Sequence, residues 1–259
     1  MRIVVPMKAV PDLVEELEIT SDGTDIDREY LKFVLNEWDD QALEEALLLK
    51  EALQAESRAA EVVAVGLADD PDIEQALYTA IAKGADSGVK LTGGSGASTH
   101  ARAAAFAGYL KANPADLVIT GVQAPDDLDG QLPSALAAHL EAPHVSVVVA
   151  VEATGSGIKV RQEFSGGRAA ELEVGLPAVI GLQAARQTPR YAPITKIRQT
   201  MQAGGLAEAA AGTGGDAGLT VRRMYAPESS THAEMLDGSP EEVADRIVEL
   251  LRGRGLVKG

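Results

Sequence analysis

Three short runs, Ile3-Val4-Val5, Val62-Val63-Ala64-Val65 and Leu117-Val118-Ile119-Thr120, are almost wholly apolar and show no alternation with polar residues. Such runs are the pattern of strands covered on both faces, as in a parallel sheet. Between them the period lengthens. In 37–53, Ala42, Leu43, Ala46, Leu47, Leu49 and Leu53 recur near 3.6 residues and predict a helix, with Asn36 placed to cap its start. Asp70 and Pro71 mark where a second helix begins, and Gly84 lies near its end. Two more are predicted over about 99–112 and 131–140. Strands alternating with helices require crossover connections, so the predicted class is α/β, a mostly parallel sheet with helices on both faces.

The pattern changes after residue 143. His144 to Glu152, Ile158 to Phe164 and Ala170 to Val174 read as strands, separated by Thr154-Gly155-Ser156-Gly157 and Ser165-Gly166-Gly167. Close strands with Gly turns predict a β-hairpin insertion. Pro177 to Leu182 then returns to the buried sheet. Residues 203–218 are small and Gly-rich, the composition of a flexible linker. A last helix is signalled by Ser239 as cap, Pro240 at the first position and Glu242 completing a capping box, with Val243, Ile247, Leu250 and Leu251 as its apolar face. The expected organisation is an α/β domain over 1–202, a linker over 203–218 and a C-terminal arm over 219–259 that docks on something.

Charge and composition narrow the function. The 259 residues hold 23 Lys+Arg against 39 Asp+Glu, a formal charge of -16, which opposes phosphate backbones and argues against nucleic-acid binding. There is no Cys, so no disulfide, thiolate metal site or Cys nucleophile is expected. No apolar run reaches the ~18 residues of a bilayer span, and Met1-Arg2-Ile3-Val4-Val5 leads straight into a strand with no leader pattern, so a cytoplasmic protein not embedded in a membrane is expected. His100, His139, His144 and His232 form no ligand cluster, and neither a Gly-x-Ser-x-Gly elbow nor a P-loop is present. Nothing announces a hydrolase.

Two segments carry chemistry. Gly121-Val122-Gln123-Ala124-Pro125-Asp126-Asp127-Leu128-Asp129-Gly130-Gln131-Leu132-Pro133 follows a buried strand and precedes a helix. Loops at the carboxyl ends of parallel strands bind ligands, and a helix N-terminus offers N–H groups to phosphate. The segment reads either as a nucleotide site or as an acidic turn capping a helix. The second segment is electrostatic: residues 174–207 contain no acid but hold Arg186, Arg190, Lys196 and Arg198, with Pro189, Pro193 and Ile194 among them. An exposed basic loop with an apolar tip suits docking to a protein, although it could equally neutralise an acidic body.

These segments, in this order, resemble the beta subunit of electron transfer flavoproteins. The resemblance starts at Val5-Pro6-Met7-Lys8-Ala9-Val10-Pro11-Asp12 and continues at Leu35-Asn36-Glu37-Trp38-Asp39-Asp40-Gln41-Ala42-Leu43-Glu44-Glu45-Ala46 and at Ala82-Lys83-Gly84-Ala85-Asp86. It takes in Gly121 to Gln131 and closes at Leu176-Pro177-Ala178-Val179 and Pro189-Arg190-Tyr191-Ala192. It implies a Rossmann-like adenine-nucleotide-binding fold and an alpha-subunit partner sharing FAD. It also implies an acyl-CoA dehydrogenase-type donor, a membrane quinone reductase as acceptor, and either AMP or a second FAD in this subunit. Carried over by position, nucleotide contacts fall at Pro6, Asn36, Glu37, Trp38, Asp39, Leu67 and Gly121 through Leu132, and the flavin of the alpha subunit approaches Leu13 and Trp38. The basic window over about 184–202 corresponds to the family's recognition loop, with Ile194 as its apolar anchor and Arg190, Lys196 and Arg198 around it.

Departures bear on the ligand. Gly130-Gln131-Leu132 stands where AMP-binding members often have Asn-Gln-Thr, so Leu132 supplies no hydroxyl to a phosphate. Pro6 replaces a small residue and lacks a strand N–H, which predicts a bulge or a ligand-facing edge there. Two other classes share the strand–helix alternation. A universal-stress-type ATP-binding module would need no flavin partner, and a nucleotide-dependent ligase would need a Ser-Gly-Gly-x-Asp loop that is missing after the first strand.

Overall fold

The computed structural model describes the chain except residues 15, 95, 97, 128, 129, 215–219, 227–234, 258 and 259. Leu128 and Asp129 of the predicted site loop, His232, and parts of the predicted linker and arm therefore lie outside the described residues. In chain order the elements are β1 (Arg2–Met7), β2 (Ala9–Pro11), β3 (Phe33–Leu35), α1 (Glu37–Ala55), β4 (Glu61–Leu67), α2 (Ile73–Lys83), β5 (Ser87–Thr92), α3 (Thr99–Ala112), β6 (Leu117–Gly121) and α4 (Leu132–Leu140). They continue with β7 (His144–Ala153), β8 (Gly157–Phe164), β9 (Arg168–Gly175), β10 (Ala178–Leu182), α5 (Ile194–Ala203), β11 (Ala207–Ala210) and α6 (Pro240–Gly253).

One nine-stranded sheet runs in the order β11-β5-β4-β1-β6-β10-β7-β8-β9, and β2 pairs with β3 beside it. Neighbours from β11 to β7 are parallel; β8 and β9 fold back antiparallel as the predicted hairpin insertion. The uniformly apolar runs are explained by two cores. Ile3 and Val5 point to a cluster with Leu43, Leu47 and Leu77 of α1 and α2, while Val4 points to one with Phe106, Leu110 and Leu136 of α3 and α4. Successive strand side chains face opposite sides, so both parities must be apolar when helices cover both faces.

Two expectations change. Residues 207–210, inside the stretch expected to be a flexible linker, pair in register with β5, and the Gly212 N–H donates to the Ala105 carbonyl over 2.8 Å. The segment from 184 to 202, expected as a loop, is irregular only to Pro193, which becomes the N-cap of α5; α5 packs against α2. At the other end, α6 carries the predicted capping box of Ser239 and Glu242, and none of its residues is buried. No helix among the described residues is long and apolar enough to cross a membrane.

Candidate functional site

From β1 the chain adds β4 and β5 on one side, then β6 on the other. The strand order therefore reverses between β1 and β6, and ligands of open α/β sheets bind outside the carboxyl ends of strands at such a point. Here the two strands also part early. Their pairing covers only Ile3 with Leu117 and Val4 with Val118, although β1 continues to Met7 and β6 to Gly121. Pro6 accounts for this. Arg2 turns both its N–H and its carbonyl to Asp116, so even-numbered residues of β1 face β6. Pro6 falls in that phase with no N–H to give, and the ladder ends. There is no bulge, because β1 stays paired with β4 through Met7.

Asp39, in the first turn of α1, fills the gap. Its carboxylate accepts the Lys8 N–H at 2.9 Å and the Gly121 N–H at 3.1 Å, bridging the two separated strand ends. The helix comes so close that a Cβ on Gly121 would lie 2.6 Å from Asp39 Oδ1 and 2.7 Å from Trp38 Cβ, which excludes any larger residue. Asp39, expected as a nucleotide contact, has a backbone role as well: each of its oxygens accepts a backbone N–H, and the side chain is buried. Burial pushes this carboxyl up to about 7, against hydrogen bonds from Asn36, Gly121 and Lys8 and the Lys8 charge, which favour the anion.

The sign of the linkage follows. An unfolded Asp titrates near pH ~4, so between there and about 7 the native state holds a proton the unfolded state has lost, and stability falls as pH rises. Relative to Asp39→Asn, the parent should lose stability across this window and level off above it. Urea unfolding of both proteins at a series of pH values checks this, and a difference that stays flat with pH contradicts it.

The rest of the crevice is built from α1's N-terminus and the β6–α4 loop. Asn36 occupies the N-cap position, but its side chain makes no cap bond. Instead Nδ2 donates to the Gln123 carbonyl at 3.0 Å, and Oδ1 is buried with no partner. Trp38 is half-buried over Gly121, Glu37 is exposed, Leu67 is fully buried at the end of β4, and Leu13 is exposed. In the loop, Val122 and Ala124 are buried, Gln123, Pro125, Asp127 and Gly130 are half-buried, and Asp126 and Gln131 are exposed. Lys8 Nζ donates to Asp126 Oδ1 at 2.6 Å and lies 3.7 Å from Asp127 Oδ2. Asp127 in turn accepts the Ala124 N–H at 3.0 Å, which folds the loop back on itself. Gly130 has φ +60°, and α4 begins at Leu132 with no side-chain cap.

The donor set can be tested against an adenine nucleotide. A buried, unpartnered amide oxygen calls for an N–H or O–H donor, because such an acceptor left unmet costs ~1–3 kcal/mol. An adenine amino group or a ribose hydroxyl meets that need. The uncapped first turn of α4 offers N–H groups to a phosphate. The acids at 126 and 127 are partly offset by Lys8 and suit hydroxyls better than a dianion. The residues fit the group.

Beside the crevice, Arg102 of α3 forms a buried fork with Asp70: its Nη1 and Nη2 both donate to the carboxylate, the latter at 2.7 Å, and Nη2 also donates to the Gly96 carbonyl at 3.3 Å. Asp70 was expected to open α2, which instead starts at Ile73 after Asp72. Sequence reasoning missed the pair, since 32 residues separate its members.

The basic segment divides into two parts. Arg190, predicted to face a partner, is turned inward: Nε and Nη2 reach Glu44, each at 2.9 Å, and Nη1 reaches Glu51 at 2.6 Å. Arg186 Nε likewise donates to the buried Glu45 at 2.7 Å. These two arginines neutralise the body, and their opposition to acids raises Arg190 further above its ordinary value. Lys196, Arg198 and Ile194 are exposed on α5, with Ile194 61% accessible.

An open, mostly parallel sheet with helices on both faces, and a crevice where its strand order reverses, defines the α/β class in which ligands bind at the carboxyl ends of the strands. The family model described as the electron transfer flavoprotein domain matches residues 24–221. The chain is 32% identical to the electron transfer flavoprotein subunit beta of Methylophilus methylotrophus, across 97% of this chain and 98% of that one. It is 31% identical to the beta subunit of Syntrophomonas wolfei (97% and 96% covered), and 30% identical to the caffeyl-CoA reductase-Etf complex subunit CarD of Acetobacterium woodii (99% and 100%). The chain belongs to the electron transfer flavoprotein family, on the side of its beta subunits.

Proposed function

We propose that this chain holds an adenine nucleotide in the β1–β6 crevice and, paired with an alpha subunit sharing FAD, carries electrons from an acyl-CoA dehydrogenase-type donor to a membrane quinone reductase. The observation that carries the nucleotide reading is the buried Asn36 Oδ1, unpartnered at the carboxyl end of a split strand pair. When bound, the flavin supplies the redox chemistry. The residues of this chain bind and position. Asn36 receives a donor from the base or ribose, the α4 N-terminus faces phosphate, and Asp39 keeps the strand ends apart at a fixed spacing. Trp38 and Leu13 are the residues of this chain that the partner's flavin approaches. The apolar face of α6, with Ile247 and Leu250 exposed and Val243 and Leu251 half-buried, docks on the alpha subunit.

Two ligands fit this reading. AMP is one. A second FAD is favoured by Leu132, which removes a hydroxyl from the phosphate end. The test is to purify the chain with its co-expressed alpha subunit, denature the complex, and count released nucleotides by chromatography. One FAD and one AMP per heterodimer are expected of a conventional carrier, two FAD of a splitting one. ATP alone, with no flavin and no second chain, would overturn the proposal.

A further inference from the structure

The 183–193 segment is held by one face of α1. Gln41, Glu44 and Glu45 stand at i, i+3 and i+4 and so share that face. Gln41 Oε1 accepts the Ala185 N–H at 2.9 Å, Glu45 Oε2 the Arg186 N–H at 3.0 Å, and Glu44 Oε2 the Arg190 N–H at 2.9 Å. Each glutamate adds the guanidinium of the same residue, and Glu45 Oε1 also accepts the Val151 N–H at 2.7 Å. Both carboxylates are buried, at 0% and 3% accessibility. Two adjacent buried acids are costly unless fully paired, and here the pairing falls on backbone N–H groups as well as side chains. Side-chain ion pairs alone would hold the arginine tips and leave the backbone free to move. These bonds fix the backbone itself, at the two residues flanking Gln187-Thr188-Pro189. Directly beyond the last of them lie Tyr191, 79% accessible, and Ile194.

We infer that Glu44 and Glu45 are positioning residues, which clamp the 183–193 backbone to α1 and so set where Tyr191 and Ile194 are presented to a protein partner. The inference rests on the docking reading of Ile194 for its functional half only. Since Asp39 lies on α1 about 9 Å up the helix from Glu45, and Asn36 stands at the N-cap position of the same helix, one rigid element places both the crevice and the presented residues.

The test uses the complex with its alpha subunit, in the parent and in Glu44→Gln and Arg190→Lys, which loosen the clamp from either side. Limited trypsin digestion should cut after residue 190 about tenfold faster in both variants, because bonds to a buried charge are among the strongest local constraints and cleavage follows local opening. Cleavage after Arg252 in α6 serves as reference and should not change. With an acyl-CoA dehydrogenase as reductant, KM for that protein should rise at unchanged kcat, with bound flavin retained. Unchanged cleavage after residue 190 in both variants would overturn the inference. So would an equal rise at Arg252 or loss of flavin, either of which would mean general loosening. Faster cleavage with unchanged KM overturns it where Ile194→Glu does raise KM. Where Ile194→Glu leaves KM unchanged too, the docking reading has failed, and the functional half of the inference falls with it while the clamp stands.

Discussion

Arg102→Ala should lower stability by roughly 3–5 kcal/mol, the usual consequence of stranding one member of a buried ion pair. Arg102 and Asp70 are both almost wholly buried, and the fork joins the first turn of α3 to the segment after β4. Truncating the arginine leaves the Asp70 carboxylate without its donors and the Gly96 carbonyl without one. For a chain of this size, ~2–4 °C per kcal/mol implies a fall in Tm of roughly 10 °C. Thermal unfolding of the variant measures it. The companion double change Asp70→Leu with Arg102→Met removes both charges and should recover most of the loss, because an apolar pair carries no desolvation penalty. A drop under ~1 kcal/mol for Arg102→Ala would show that water reaches the pair and that it stabilises no more than a surface bridge.

Ile194→Glu should slow electron transfer from the reducing dehydrogenase by about thirtyfold or more in kcat/KM, with flavin and nucleotide content unchanged. The size follows from what apolar anchors contribute at protein interfaces, ~2 kcal/mol or more when one is lost. Ile194 begins α5 and is exposed, so nothing within the fold requires it to be apolar. The new carboxylate would also sit beside Lys196 and Arg198 and partly cancel the local positive charge. Stopped-flow reduction of parent and variant decides the matter, and equal rates would remove Ile194 from the docking surface.

Much of the scaffold was legible because burial on both faces leaves a local mark. Ile3 to Val5, Val62 to Val65 and Leu117 to Thr120 all fall inside observed strands, and α3 matches its predicted span. The α6 capping box was equally plain, since Ser239 and Glu242 act within one turn. What failed to show depends on distant partners. In β5, Ser87, Gly88 and Lys90 break the apolar run, and only pairing with β4 and β11 makes a strand of it. In β11, Ala-Glu-Ala-Ala has poor strand propensity and is carried by the open edge beside it. At the site, Asn36, Trp38, Asp39 and the described part of the 121–132 loop stand together at the carboxyl ends of β1 and β6, but the backbone-bridging role of Asp39 did not show. A carboxylate's partners, here N–H groups at 8 and 121, are not written near it. The same holds for Glu44 and Glu45, whose arginines lie more than 140 residues away.

The position of β11 changes what counts as a self-sufficient unit. A chain cut at 202 would contain every β–α repeat, yet would expose the outer edge of β5 as a row of unmatched backbone groups. Such an edge is a template for pairing with other molecules. β11 closes it and adds Glu208, which meets Lys90 at 2.8 Å and places charge on the rim. β11 is then itself the edge of the sheet, but a template of only four residues with a charge on it, so the smallest soluble fragment is expected to extend through it.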